Sequence, residues 1–270
     1  MPNPPVVAFS NHNSMRENYE AYGVGNYYTQ VAATYRNPHA EGVRNVVWGW
    51  MDTWWDKEGK EGETGEAGGS RVLDMAAGSG EVTLALLGWV ERKKSGQTVR
   101  VKGLVRGGQG SVRPSAVRPS DPSIPAPIAR DPISLGEPSS APSLNPITPT
   151  LHITATDPYT SPAYTAQTTL PCLPLSFQDI ANGTLPETQY THIICSYALH
   201  LVKDTSELFA LLWELSTKAR YLLVIAPGKR PEIREGWGWR RWDVERWDWG
   251  ECELVFGKCR GRVYKSVNCF

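Results

Sequence analysis

From Arg71 onward, short unbroken apolar runs alternate with segments whose apolar residues recur every three or four positions. That is the rhythm of buried strands interleaved with amphipathic helices. Val72-Leu73 reads as a buried strand, and a helix starts at Val82 to Leu87. Leu151 to Thr156 alternates as a strand running into Asp157, and Leu175 to Ile180 reads as a further short strand. Thr191 to Val202 is a buried parallel strand with its exit loop. A helix follows over Glu207 to Ala219 through Leu208, Leu211, Leu212 and Leu215, then an unbroken strand over Arg220 to Ala226 closed by Pro227-Gly228. Before Arg71, Val31, Ala32, Tyr35, Val43, Val46, Val47 and Trp50 recur at helical spacing across Tyr19 to Trp55, with Asn37-Pro38 as a break between two helices. The alternation predicts an α/β fold, a doubly wound and mostly parallel sheet.

Composition divides this frame. Residues 1–18, beginning Met-Pro-Asn-Pro-Pro, read as a flexible arm, and 19–56 as an N-terminal helical cap. Residues 57–94 form the first half of the α/β unit, entered through a Gly- and Glu-rich connection from Lys57 to Ser70. Residues 95–150 carry Arg-Pro, Asp-Pro and Ala-Pro pairs with few aromatics. They bury little surface and read as a disordered insertion, with a regulated docking segment, a proline-rich ligand and retained non-coding sequence as alternatives. The second half of the unit occupies 151–270.

The formal net charge of zero supplies no field to gather nucleic acid or an anionic membrane. No run of 18 apolar residues is present, so an intracellular, cytoplasmic protein is expected. The five cysteines are odd in number and scattered without metal-ligand spacing, so no metal is expected. Cys195 reads as a buried small hydrophobe.

The most informative chemistry lies at Asp74-Met-Ala-Ala-Gly-Ser-Gly80. Gly78 and Gly80 permit a tight turn under a helix N-terminus, while a carboxylate at the strand end repels pyrophosphate and suits an ammonium or hydroxyl. Here the chain resembles the class I S-adenosylmethionine-dependent methyltransferases, with Ala76 where the family usually has its first glycine. The resemblance implies a seven-stranded sheet of that type, S-adenosylmethionine as cofactor, and Cys252 to Phe256 with Arg262 to Val267 as a terminal antiparallel pair. It implies that Asp74, Ala76, Gly78 and Gly80 hold the amino-acid part and that Asp157, beside Pro158, binds the ribose. Asp179 would accept from the adenine amino group, with Ile180 covering the ring. A turn-capping role for Asp157 is the competing reading.

The strand ending at Ser196 delivers Ser196, Tyr197 and His200 to the carboxyl edge of the sheet, where open α/β sheets bind ligands. His200 is the candidate proton acceptor, because its ordinary pKa lies near neutrality. Hydrogen bonding to loop backbone is its alternative, and His39 is a second base candidate. Tyr28 and Tyr35 share a helix face and either pack in the core or close over the sulfonium. The Trp-rich stretch from Lys229 to Trp249 reads first as packing. Its second reading is a lid over an apolar or aromatic substrate and its third a surface that stacks on nucleic-acid bases; Trp237, Trp239, Tyr197 and His39 are the expected substrate contacts. Ser196-Tyr-Ala-Leu199 lacks the Asp/Asn-Pro-Pro-Tyr run of enzymes that methylate exocyclic amines, so the acceptor is expected to be a small molecule. A protein or RNA methyltransferase and a non-catalytic cofactor-binding module are the alternatives. No feature of the sequence sets the oligomeric state.

Overall fold

The computed structural model describes residues 37–62, 68–97, 104–107 and 147–269. Helix α1 (Ala40–Trp54) begins just after Asn37-Pro38. It buries Val43, Val46, Val47, Trp50, Met51 and Trp54, the stripe that three- and four-residue spacing dictates. It does not stop at Lys57: a π-helical turn (Trp55–Gly59) and a last turn (Lys60–Gly62) carry it into the expected connection. Trp54 and Trp55 are both buried, and a wide turn lets two successive indoles enter the core. Gly59 makes room for them, since a Cβ there would lie 2.7 Å from the Trp55 ring and 2.8 Å from that of Trp54.

The elements that follow are β1 (Ser70–Met75), α2 (Glu81–Lys94), β2 (Leu104–Gly107), β3 (Leu151–Thr156), α3 (Ser161–Thr168), α4 (Phe177–Ala181) and β4 (Tyr190–Ser196). After them come α5 (Thr205–Lys218), β5 (Ala219–Ala226), β6 (Trp239–Asp243), β7 (Asp248–Trp249), β8 (Cys252–Phe256) and β9 (Cys259–Ser266). The main path of the sheet has the order β2-β8-β9-β5-β4-β1-β3, with β6 and β7 paired beside β9. Strands β3, β1, β4 and β5 are mutually parallel. Strand β9 runs antiparallel to β5 and to β8, which is the terminal pair implied by the resemblance. The fold is thus the α/β arrangement that the alternation predicts, with antiparallel strands added along one side of the parallel ones.

Both faces of the parallel strands are covered, which is why they read as continuous apolar runs. On one face Ile194, Tyr221, Leu223 and Ile225 pack with α1, α2 and the Trp-rich segment. On the other, Ile193, Cys195, Leu222 and Val224 pack with α5 and Ile180. Cys195 is a fully buried core residue, and burial pushes its thiol up to about 12.

Two elements differ from the sequence reading. Leu175 to Ile180 is not a strand, because Ser176 caps α4 in a capping box with Asp179. Strand pairing outside β3 contracts to one bridge, Thr156 to Leu173. Within 95–150, Leu104–Gly107 forms β2, which pairs antiparallel with β8. A four-residue strand becomes visible only through a partner far along the chain.

Candidate functional site

A cleft of about 560 Å³ opens at the carboxyl ends of the parallel strands, where Ala76, Asp157, Pro158, Leu175, Phe177 and Val202 line it. Of the turn between β1 and α2, Ala76 lines the cleft, while Gly78 and Gly80 do not. Ala76, Gly78 and Gly80 all take positive φ there, of 56°, 59° and 92°. For Ala76 this is a conformation non-glycine residues seldom adopt. The two glycines serve different ends. The Gly78 N–H donates to Asp157 Oδ2 at 3.1 Å, and its carbonyl accepts from the Thr160 hydroxyl at 2.8 Å. Gly80 is required by packing, since a Cβ would lie 2.5 Å from Thr168 Cγ2 on α3.

Asp157 holds the turn-capping role and is also among the residues that line the cleft. Its Oδ1 accepts from the N–H groups of Tyr159 and Thr160. Oδ2 carries one N–H bond, from Gly78, and has acceptor capacity left.

Asp74 lies beneath the turn, fully buried, and does not line the cleft. Its Oδ2 accepts from the Thr83 N–H at 3.1 Å and hydroxyl at 2.7 Å, which satisfies the start of α2. Its Oδ1 is buried with no partner. Burial pushes the carboxyl up to about 7, and the charges of Glu81 and Asp157 add to the rise.

The residues expected around adenine lie away from the cleft lining. Asp179 accepts from the Ser176 N–H and hydroxyl at 2.9 and 2.6 Å, bonds that hold its carboxyl below the usual range. It is not among the residues lining the cleft, and Ile180 is fully buried in the core under α4. Neither lines the cleft, whereas Leu175, Phe177, Leu201 and Val202 do. The Ser-x-x-Asp spacing was the available signal, because a cap of that form starts a helix and turns its carboxylate back onto its own first turn.

His39 and Tyr197, which are not among the residues lining the cleft, come together from opposite halves of the chain. Their rings stack at 5.1 Å with an interplanar angle of 18°, and the Tyr197 hydroxyl lies 3.1 Å from Cys259 Sγ. Tyr197 has φ of 55°, which turns the chain sharply after Ser196, the last residue of β4. His200 is exposed in the short 3₁₀ turn Leu199–Leu201, and partial burial of its ring lowers its pKa. Trp239 is no substrate contact: it is 2% exposed, and its indole N–H donates to the Leu212 carbonyl. Trp237 is half-buried against Phe209. Trp242, Trp247 and Trp249 pack in or against the core, in accord with the packing reading of that stretch. Tyr28 and Tyr35 lie outside the described residues.

Among the described residues no helix is long and apolar enough to cross a membrane. No protein-family model matches the chain. A curated, uncharacterized protein of Schizosaccharomyces pombe is 35% identical over 260 residues, covering 94% of this chain and 90% of that one. Among solved structures, the bifunctional kinase-methyltransferase WbdD is 10% identical over 86% of this chain with a TM-score of 0.41, and this chain spans 40% of its length. The N-methyltransferase NodS of Bradyrhizobium japonicum, solved with S-adenosyl-l-homocysteine, is 8% identical over 93% of this chain and 97% of its own, with a TM-score of 0.42.

Proposed function

The chain belongs to the family of that Schizosaccharomyces pombe protein, and for it we propose S-adenosylmethionine-dependent methyl transfer to a small-molecule acceptor. The observation that supports this is the cleft at the carboxyl edge of the sheet, lined by Ala76 from the β1–α2 turn, by Asp157 and by apolar side chains. The walls from Pro158, Leu175, Phe177 and Val202 suit a flat heterocycle, and Asp157 has acceptor capacity free for a sugar hydroxyl. The Asp157 carboxylate in the cleft lining favours a cationic ligand.

When bound, S-adenosylmethionine supplies a methyl group already activated on a sulfonium. The protein's part is then positioning, which can contribute on the order of 7–11 kcal/mol. To Tyr197 we assign contact with the acceptor, and to His39 or His200 the uptake of its proton; none of the three is among the residues that line the cleft. A cytoplasmic setting goes with this reading.

Calorimetry with S-adenosylmethionine and S-adenosylhomocysteine tests it. Wild-type protein should bind both in the micromolar range, and Asp157→Ala should weaken binding at least tenfold, about 1.4 kcal/mol. Because Asp157 also caps the Tyr159–Thr160 turn, circular dichroism should confirm that the variant is folded. Equal affinities in the two folded proteins remove Asp157 from the site, and no wild-type binding removes the reading.

A further inference from the structure

Glu81, in the first turn of α2, accepts two hydrogen bonds through one oxygen. Oε1 takes the Ser79 hydroxyl at 2.6 Å and the backbone N–H of Asn37 at 3.1 Å. Ser79 belongs to the turn between β1 and α2, whereas Asn37 opens the turn that starts α1. The Asn37 Oδ1 accepts from the His39 N–H at 2.8 Å, which fixes that turn, and the His39 ring lies on Tyr197. A short chain of contacts thus runs from the glycine turn through Glu81 and Asn37 to the His39–Tyr197 pair.

Packing of the two helices does not need this contact. Farther along, α1 and α2 are joined by the Trp48 indole N–H on the Ala85 carbonyl at 2.7 Å. Asp52 accepts from Trp89 at 2.9 Å and from Arg92 at 2.6 Å. Glu81 acts only at the carboxyl edge of the sheet.

We propose that Glu81 is a positioning residue that locks the His39–Tyr197 pair in register with the glycine turn, so that a ligand seated on the turn and an acceptor held at His39 keep one geometry. The lock is a property of the chain itself; its use in methyl transfer rests on the function proposed above. A charge-assisted oxygen shared by two donors suits this task, because it ties the two segments to one atom and its loss releases both.

The test is carbethoxylation of the full chain by diethylpyrocarbonate, followed by peptide mass mapping. The exposed His200 serves as the internal reference for His39. Glu81→Ala should modify His39 at least fivefold faster than wild type relative to His200, and Glu81→Gln, which keeps an accepting oxygen, should stay within twofold. Equal ratios in wild type and Glu81→Ala overturn the proposal. A second arm adds saturating S-adenosylhomocysteine, which should slow His39 modification in wild type. Ser79→Ala, lacking only the contact on the turn, should bind the compound yet lose that protection, a change that a purely structural role for Glu81 does not produce. Should Glu81→Ala not fold, retained protection in Ser79→Ala overturns the lock. Absence of S-adenosylhomocysteine binding to wild type counts against the methyltransferase reading, while the ligand-free ratios still decide the lock.

Discussion

Two fully buried ionisable side chains stand on neighbouring strands with opposite pH behaviour. His192 on β4 is enclosed by Trp50, Trp54 and Tyr221, and neither of its ring nitrogens has a hydrogen-bond partner. Burial, with a contribution from the Arg220 charge, lowers its pKa to about 3. Above the unfolded value near 6.5 the ring is neutral in both states. As pH falls below that value, only the unfolded chain takes up the proton, so stability is lost progressively toward pH 3. The loss is on the order of 2 kcal/mol by about pH 5. Asp74 runs the other way: the unfolded carboxyl ionises from about pH 3.8 while the folded one stays protonated until about 7, so stability falls as pH rises across that window. In wild type the two effects partly offset, and single variants should separate them. His192→Phe, which keeps a ring against Trp54, should gain on wild type as pH drops from 7 to 4. Asp74→Asn, which can still accept from Thr83, should gain as pH rises from 4 to 8. Urea unfolding across pH reads both, and differences from wild type that do not vary with pH sink the assignment.

At the level of elements, the strand–turn–helix around Gly78 and Gly80 was legible because its signals are local: an apolar run, two glycines and a helical stripe within one short segment. The physical reason for Gly80 was not, since the neighbour that excludes a Cβ is Thr168, on a helix that meets α2 only in the folded chain. Gly80→Ala should therefore destabilise by about 2–3 kcal/mol, from left-handed strain together with the clash. Thr168→Ser in the same molecule removes the offending methyl and should recover part of that loss, leaving the strain. Additive effects of the two changes in thermal or urea unfolding would show that the contact does not matter. The α4 segment shows a local signal losing to another local signal. Leu175 invited a strand, yet Ser176 and Asp179 are spaced to cap a helix, and the cap prevails because it satisfies two backbone N–H groups at once. Ser176→Ala should cost about 1 kcal/mol of stability. Because Ser176 and Phe177 both line the cleft, it should also weaken S-adenosylhomocysteine binding severalfold by calorimetry. The pairing of Leu104–Gly107 with Cys252–Phe256 and the stacking of His39 on Tyr197 were beyond sequence reading for one reason. Each joins segments separated by most of the chain, with no periodicity linking them.

Across the whole molecule, Glu58 connects regions that no single element spans. From the π-helical turn after α1, its Oε1 accepts from the Tyr221 hydroxyl on β5 at 2.9 Å and from the Trp247 indole N–H at 3.2 Å. Its Oε2 meets Arg220 at 3.2 Å. Trp247 in turn stacks on Trp50 of α1 at 5.8 Å and meets Trp242 of β6 edge-on at 5.7 Å. The N-terminal helix, the centre of the sheet and the Trp-rich C-terminal segment thus converge on one carboxylate, which makes that segment a second wall of the core. Removing the carboxylate leaves a buried hydroxyl and an indole N–H without their acceptor, a loss of about 1–3 kcal/mol. Glu58→Ala should lower the unfolding midpoint by several degrees. It should also weaken the near-ultraviolet circular dichroism of the tryptophan cluster, because Trp247 loses the bond that orients it. The cleft lies at the carboxyl edge of the strands, away from this junction, so S-adenosylhomocysteine affinity should change less than twofold in the same variant. A large fall in affinity with an unchanged midpoint would place Glu58 at the ligand site and refute its role as the junction of the fold.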